Sequence, residues 1–167
     1  MLFSLAAAAA PVALARIFVV GNYTIPSDSM LPTLRKGDRV LGEKLPSRVS
    51  AVVPGDIVTF RDPADSQSTL IKRVIALPGS VVDLREGAVF VDGQRLEEPY
   101  LASFGTYAHL AGCTITYPFE LPEGYLWVMG DNRSHSCDSR SFGPVEFDAL
   151  TSHVMCRYWP VDRACSL

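Results

Sequence analysis

Two residues of this chain have the types that acyl transfer requires: a serine on stiff backbone and a lysine set among apolar neighbours. Ser29 lies in Ile25-Pro26-Ser27-Asp28-Ser29-Met30-Leu31-Pro32-Thr33-Leu34. Pro26 and Pro32 each fix φ and bias the preceding residue toward extended geometry, so Ser29 is expected on rigid, non-helical backbone. A hydroxyl held this way is a candidate nucleophile, but it stays inert until a base accepts its proton. Without a base, the stretch is a Pro-bounded turn. Lys72 supplies the candidate base. It sits in a strand pattern over residues 69–77, where side chains alternate, so Lys72 shares a face with Leu70, Val74 and Ala76 while Arg73 points the other way with Ile71 and Ile75. A free lysine has a pKa near 10.4, leaving about one molecule in 2,500 neutral at pH 7, and a base working near 7 to 8 needs roughly 3 to 4.5 kcal/mol of shift. Burial on an apolar sheet face supplies a shift of that sign. The competing reading is a strand lysine that snorkels to water.

A third group is the polar loop Asp131-Asn132-Arg133-Ser134-His135-Ser136-Cys137-Asp138-Ser139-Arg140, which leaves the apolar run 124–130. Polar side chains on a loop carried by a hydrophobic strand are well placed for a site, and a solvated turn is the alternative. His135 with Asp131 or Asp138 would permit a Ser-His-Asp arrangement, but no G-x-S-x-G elbow surrounds Ser29, and His109 and His153 lack even a polar loop. Cys113, Cys137, Cys156 and Cys165 form no CxxC pair and have no histidine at ligand spacing, so a zinc site is not expected. Their even number is compatible with disulfides or with free thiols.

The elements that must position these groups read as mainly β. With 167 residues, 48% hydrophobic and 20% charged, the chain is long enough for one domain with a substantial core, plus an insertion. A net charge of −3 and a pI near 5.6 offer no basic surface for nucleic acid. Strand signals follow one another between turns: 39–44 after Gly37-Asp38, 57–60 after Pro54-Gly55-Asp56, 69–77, 81–84, 88–94 around the hairpin signal Asp92-Gly93, 124–130 and 151–159. The expected architecture is an antiparallel β-sheet catalytic core with an inserted β-rich lobe at about 83–122, preceded by an N-terminal apolar helix. Residues 1–20 are almost wholly apolar, broken by Pro11 and Arg16, and are expected to form a membrane segment, with residues 21–167 as the catalytic domain. A cleaved secretory signal, for which Ala13-Leu14-Ala15 has the small-residue spacing, and a buried helix are the alternatives. No Lys or Arg precedes the apolar run, which leaves its topology and true start open.

In this order, the pieces resemble the type I signal peptidases, membrane-bound serine endopeptidases that remove signal peptides. The Ser29 stretch resembles their nucleophile box, Gly37-Asp38-Arg39-Val40 and Pro54-Gly55-Asp56-Ile57-Val58 their next two segments, Ile71-Lys72-Arg73-Val74 with Leu77-Pro78-Gly79 their general-base box, and Gly130 through Arg140 with Phe142-Gly143 their last. The resemblance covers residues 25 to about 160 and is weak over 83–122. It implies Ser29 as nucleophile, Lys72 as general base, Ser27 as an oxyanion donor beside the Ser29 backbone N–H, and Ser136 as a hydrogen-bonding partner that orients the lysine. It further implies Asp138 and Arg140 as a structural ion pair, Asp131 as loop scaffold, and Ile25, Val40, Thr59, Leu70 and Ile71 as the lining of shallow pockets. The implied partners are preprotein signal peptides with Ala-x-Ala cleavage sites and membrane lipid, at a cell membrane with the catalytic domain on the extracytoplasmic side; no metal or other cofactor is required. Two features depart from the family pattern: Asp28 stands where the nucleophile box more often has glycine, and Cys137 beside Ser136 suggests a loop-bracing disulfide to Cys113. The rival readings within reach of the same residues are a related Ser/Lys self-cleaving or specialised processing peptidase and a non-catalytic exported module that binds extended peptides.

Overall fold

The computed structural model describes residues 20–44, 52–101 and 115–167. In chain order the strands are β1 (Val20–Thr24), β2 (Arg39–Lys44), β3 (Ile57–Arg61), β4 (Thr69–Ala76), β5 (Val81–Arg85), β6 (Ala88–Val91), β7 (Gln94–Arg95), β8 (Phe119–Glu120), β9 (Tyr125–Met129), β10 (Val145–Glu146), β11 (Leu150–Trp159) and β12 (Cys165–Ser166). Helix is confined to single turns among the described residues, the longest being Ser139–Phe142. All strand pairs are antiparallel. The larger sheet has the order β1-β2-β11-β3-β4-β9-β10, with β12 beside β11, and the smaller has the order β7-β6-β5-β8.

Alternation of apolar residues dictates how this sheet packs. In β3, Ile57 enters one apolar cluster, with Ile25, Met30, Leu34, Val40, Ile71 and Val154, while Val58 and Phe60 enter another, with Val74, Leu126 and Val128. Opposed residues on paired strands share a face, so Val58 facing Lys72 and Phe60 facing Leu70 put the lysine on the side lined by that second cluster. A register shift between Val74 and Ala76 where β4 meets β9 breaks the alternation: Ile75 and Ala76 both join a third cluster, with Trp127, Met129 and Val82, which joins the two sheets. Ala76 therefore does not share the environment of Lys72, as strict alternation would have it.

The smaller sheet is built by two tight hairpins. Glu86-Gly87 and Asp92-Gly93 have both central residues at positive φ (53° and 72°, 53° and 78°), the conformation that lets a two-residue turn match strand twist. The sheet's strands run from Val81 to Glu120, two residues earlier than the expected start of the inserted lobe. Val20, expected as the end of the apolar N-terminal segment, instead opens β1 and faces Glu43 of β2. The rest of that segment lies outside the described residues, among which no helix is long and apolar enough to cross a membrane.

Trp127 is fully buried where the sheets meet, with the Tyr117 ring edge-on at 6.0 Å and the Phe119 ring at 5.3 Å. Trp127→Ala is expected to cost about 3–5 kcal/mol of stability, read as a lowered urea midpoint with the slope unchanged.

Candidate active site

The segment carrying Ser29 is fixed at both ends by backbone. Ile25 N donates to Asp38 O and Gly37 N to Ile25 O, each at 2.9 Å, so the stretch leaves and returns at one point beside β2. Within it, Leu34 N donates to Met30 O at 2.9 Å, forming a single turn, and Ile25, Met30 and Leu34 anchor it in the first apolar cluster. Ser29 is thereby held 8% exposed, directly before a fully buried methionine. Lys72 Nζ donates to Ser29 Oγ at 3.0 Å and to the carbonyl of Ile71 at 2.9 Å, and Ser27 Oγ donates to Ser29 Oγ at 3.3 Å. Lys72 is only 3% exposed. Burial pushes its ammonium below the ordinary lysine range, against the opposing pull of Asp138, Cys137, Asp62 and Asp131. A buried amine of lowered pKa against a hydroxyl is the arrangement in which the amine can take the hydroxyl proton.

The loop after β9 closes over this pair through two buried ion pairs. Asp138 binds Arg140 Nη2 at 2.8 Å, with both side chains fully buried. Its Oδ1 takes Arg140 Nε at 2.8 Å and its Oδ2 takes the backbone N–H of Gly130 at 2.9 Å. Ser139 Oγ accepts from Val128 N at 2.9 Å, so the loop's far limb is fastened to β9 by side chains where the ladder has ended. Asp131 pairs with Arg73 in bidentate fashion, at 2.9 and 2.7 Å, and accepts from Thr33 Oγ1 of the nucleophile segment. Asn132 completes the attachment: its backbone N–H donates to Ser29 O and its side-chain amide to Asp28 O, both at 3.0 Å.

The sequence matches the family model described as "Signal peptidase, peptidase S26" over residues 1–159. The chain belongs to the signal peptidase family. It is 39% identical over 157 residues to a probable signal peptidase I-1 of Synechocystis sp., covering 90% of this chain and 76% of that protein. It is also 35% identical over 156 residues to the signal peptidase I of Bacillus caldolyticus, covering 89% and 85%. Among solved structures, a signal peptidase I of Enterococcus faecalis superposes with a TM-score of 0.54 at 30% identity, covering 64% of this chain and 98% of that one.

Seen on this signal peptidase fold, several expected residues fall elsewhere than anticipated. The hydrogen bond expected from Ser136 to Lys72 is not formed: Lys72 donates to Ser29 and to the Ile71 carbonyl, while Ser136 Oγ is buried with no hydrogen-bond partner among the described residues. The hydroxyl is instead pressed against Gly130, where an added Cβ would lie 2.2 Å from Ser136 Oγ and 2.5 Å from the Ser29 carbonyl oxygen. Of the five expected pocket residues, Ile25, Val40 and Ile71 share one cluster, and Thr59, opposite Ile71 in the ladder, is bonded to Thr151 Oγ1 at 2.8 Å. Leu70 packs with the other cluster, because neighbours on a strand face opposite ways. Cys137 carries an exposed free thiol, and the expected bridge to Cys113 involves a residue that lies outside the described ones. The Asp28 carboxylate turns away to accept from Lys36 N at 3.2 Å, and His135 is exposed, bonded to its neighbour Ser134. Gly130, Asn132 and Thr33 were not singled out from sequence. Gly130 had the clearest signal, a glycine where an apolar strand meets a polar loop.

The lowered pKa of Lys72 also has a consequence for stability. Between its folded value and the ordinary 10.5, the unfolded chain holds a proton that the folded chain lacks, so stability rises with pH through that window. Below the window the full cost of a buried ammonium is present. Lys72→Met is expected to melt at a higher temperature than the natural protein at neutral pH, with the difference narrowing as pH approaches 10.5; scanning calorimetry across pH measures it.

Proposed function

We propose that this signal peptidase family member removes N-terminal signal peptides from exported preproteins, with Ser29 as nucleophile and Lys72 as general base. The observation that carries the reading is the 3.0 Å contact between Ser29 Oγ and the buried Lys72 amine. Once neutral, Lys72 accepts the Ser29 proton as Oγ attacks the scissile carbonyl, and returns it to the leaving amine as the C–N bond breaks. Water then cleaves the acyl-serine ester by the reverse use of the same base. Ser27 Oγ, now turned to Ser29, swings to the carbonyl oxygen and, with the Ser29 N–H, carries the developing negative charge. Asp131, Asp138 and Arg140 hold the loop and take no proton. The apolar surface of Ile25, Val40 and Ile71, with Thr59 beside it, favours small residues such as alanine at the cleavage point and two before it, while Leu70 contributes from the opposite face of β4. The apolar segment before Val20 anchors the enzyme in the cell membrane, with the catalytic domain on the extracytoplasmic side where processed preproteins emerge.

The test is cleavage of a synthetic Ala-x-Ala signal-peptide substrate in detergent or lipid. Ser29→Ala and Lys72→Ala are expected to abolish cleavage and His135→Ala to leave it intact; cleavage surviving the lysine change would overturn the mechanism. Ser27→Ala is expected to slow turnover about a hundredfold or more, the worth of one oxyanion donor. Because Lys72 must be neutral to act, kcat/KM is expected to rise with pH along a single acid limb whose midpoint lies below 10.5, the ordinary lysine value.

A further inference from the structure

The turn Glu98-Pro99-Tyr100-Leu101 belongs to neither sheet, yet Glu98 reaches the loop after β9 and Tyr100 reaches the strand that carries Lys72. Its geometry follows from its surroundings. The chain leaves β7, Leu96 N donates to Val89 O at 2.9 Å, and Leu96 packs with the cluster that joins the two sheets. Leu101 N then donates to Glu98 O at 3.2 Å, closing a turn with proline at its second position. From this turn the Glu98 carboxylate accepts from the buried Arg133 guanidinium, through Nη1 at 3.2 Å and through Nη2. The Tyr100 ring lies under the Arg73 guanidinium at 4.0 Å, and its hydroxyl donates to Glu98 at 3.0 Å. Burial, with the neighbouring Glu98 carboxylate, raises the Tyr100 hydroxyl pKa, so this hydroxyl stays a donor at physiological pH.

Both contacts continue inward. Arg133 Nε donates to the carbonyl of Gly130 at 3.1 Å, and Gly130 is the residue against which Ser136 and the Ser29 carbonyl are packed. Arg73 follows Lys72 in β4 and holds Asp131, which also takes Thr33 of the nucleophile segment. One turn of the lobe therefore holds two arginines, one in the strand of Lys72 and one in the loop bonded to the Ser29 carbonyl. We propose that Glu98 and Tyr100 are positioning residues: together they clamp Arg133 and Arg73 and so set the distance and alignment of Ser29 and Lys72.

The clamp acts on Lys72 through Asp131. With the Tyr100 ring in place, Arg73 is confined between an aromatic face and the carboxylate, and the charge of Asp131 is matched. Without the ring, Arg73 keeps its bond to the Gly55 carbonyl at 2.6 Å but loses the face that presses it onto Asp131, whose less fully matched charge then favours the Lys72 ammonium. Asp138, Cys137 and Asp62 also act on Lys72 in that direction, but Asp138 stays locked to Arg140, and neither Cys137 nor Asp62 is touched by the clamp.

The kinetic arm of the test rests on the Ser29–Lys72 reading above, so a second arm uses no substrate. The chain has three lysines, Lys36, Lys44 and Lys72. NMR titration of the lysine ε-methylenes, with Lys72 assigned by its absence in Lys72→Met, reads its protonation directly. Tyr100→Leu is expected to raise the Lys72 pKa toward 10.5, to lower kcat about tenfold with KM changed less than about twofold, and to move the acid limb of the pH profile upward with the titration. Tyr100→Phe, which keeps the ring over Arg73, is expected to stay within about twofold of the natural protein. Tyr100→Met, which keeps apolar bulk without a ring, is expected to move both readouts in the same direction as Tyr100→Leu, and gives the answer if that variant does not fold; Glu98→Gln, which leaves Arg133 unmatched, is expected to lower kcat with KM little changed. Phe90→Leu removes the lobe's similar contact, the Arg85 guanidinium over the Phe90 ring at 4.1 Å, and is expected to change neither readout. A natural Lys72 titration in Tyr100→Leu or Tyr100→Met overturns the clamp, even where kcat or melting temperature falls, since a supporting role alone leaves the lysine where it was; a natural kcat in Glu98→Gln overturns the part given to Glu98. If the natural protein fails to cleave signal peptides but its Lys72 titration follows Tyr100 as described, the peptidase reading falls and the clamp stands.

Discussion

A primary amine held out of water is the constraint on which the rest of this molecule depends. A carboxylate left unmatched close to Lys72 favours its ammonium, and two stand in the adjacent loop, Asp131 and Asp138. Each is occupied by a buried arginine, Arg73 and Arg140. Buried ion pairs are poor sources of net stability, because the loss of hydration offsets the attraction. Here they have another use: they match the carboxylate charge locally, so that burial dominates the protonation of Lys72. The polar density of the loop and the apolar surroundings of the lysine are two halves of one arrangement.

The second constraint is that nucleophile and base come from segments 43 residues apart in sequence and must meet within hydrogen-bond reach. Local stiffness at Ser29 cannot achieve that alone. The loop after β9 bridges the gap with backbone groups and short side chains: Asn132 to the carbonyls of Asp28 and Ser29, Thr33 to Asp131, and Gly130 packed where no side chain fits. Short connections leave few torsions free, which suits a pair whose separation has to be set within a fraction of an ångström.

Much of this was legible in the sequence, for identifiable reasons. Strands such as Arg39–Lys44, Ile57–Arg61 and Thr69–Ala76 are bounded by Gly and Pro turns and carry β-branched residues, so their limits could be read nearly to the residue. Asp92-Gly93 announced its hairpin through the one conformation it favours. What failed to show were features that depend on long-range pairing. Val20–Thr24 starts on the last residue of an apolar run, and only its pairing with β2 makes it a strand. The break in alternation at Ala76 comes from the register with β9, which no local pattern encodes. The Ser136 hydroxyl without a partner among the described residues, the reach of Glu98 to the loop and that of Tyr100 to Arg73 likewise follow from how close segments distant in sequence come to one another, a distance that sequence spacing does not contain.

How β9 can deliver Gly130 so closely follows from its burial on both faces. Leu126 and Val128 enter the cluster around Val58, Phe60 and Val74, while Trp127 and Met129 enter the cluster that joins the second sheet. A one-residue slip of this strand would exchange the two sets, driving an indole into the space of a leucine and leaving a valine-sized gap where Trp127 packs. Neither cluster tolerates that, so the register of β9 against β4 is fixed from both sides. Gly130 is the next residue, and its position is fixed with it. On this account the second sheet does not merely decorate the core: by filling one face of β9 with Val82, Leu84, Val89 and Leu121 it locks the strand whose end meets Ser29, while its connecting turn holds the loop that follows. The lobe is then part of the site's geometry although none of its described residues touches the reacting atoms.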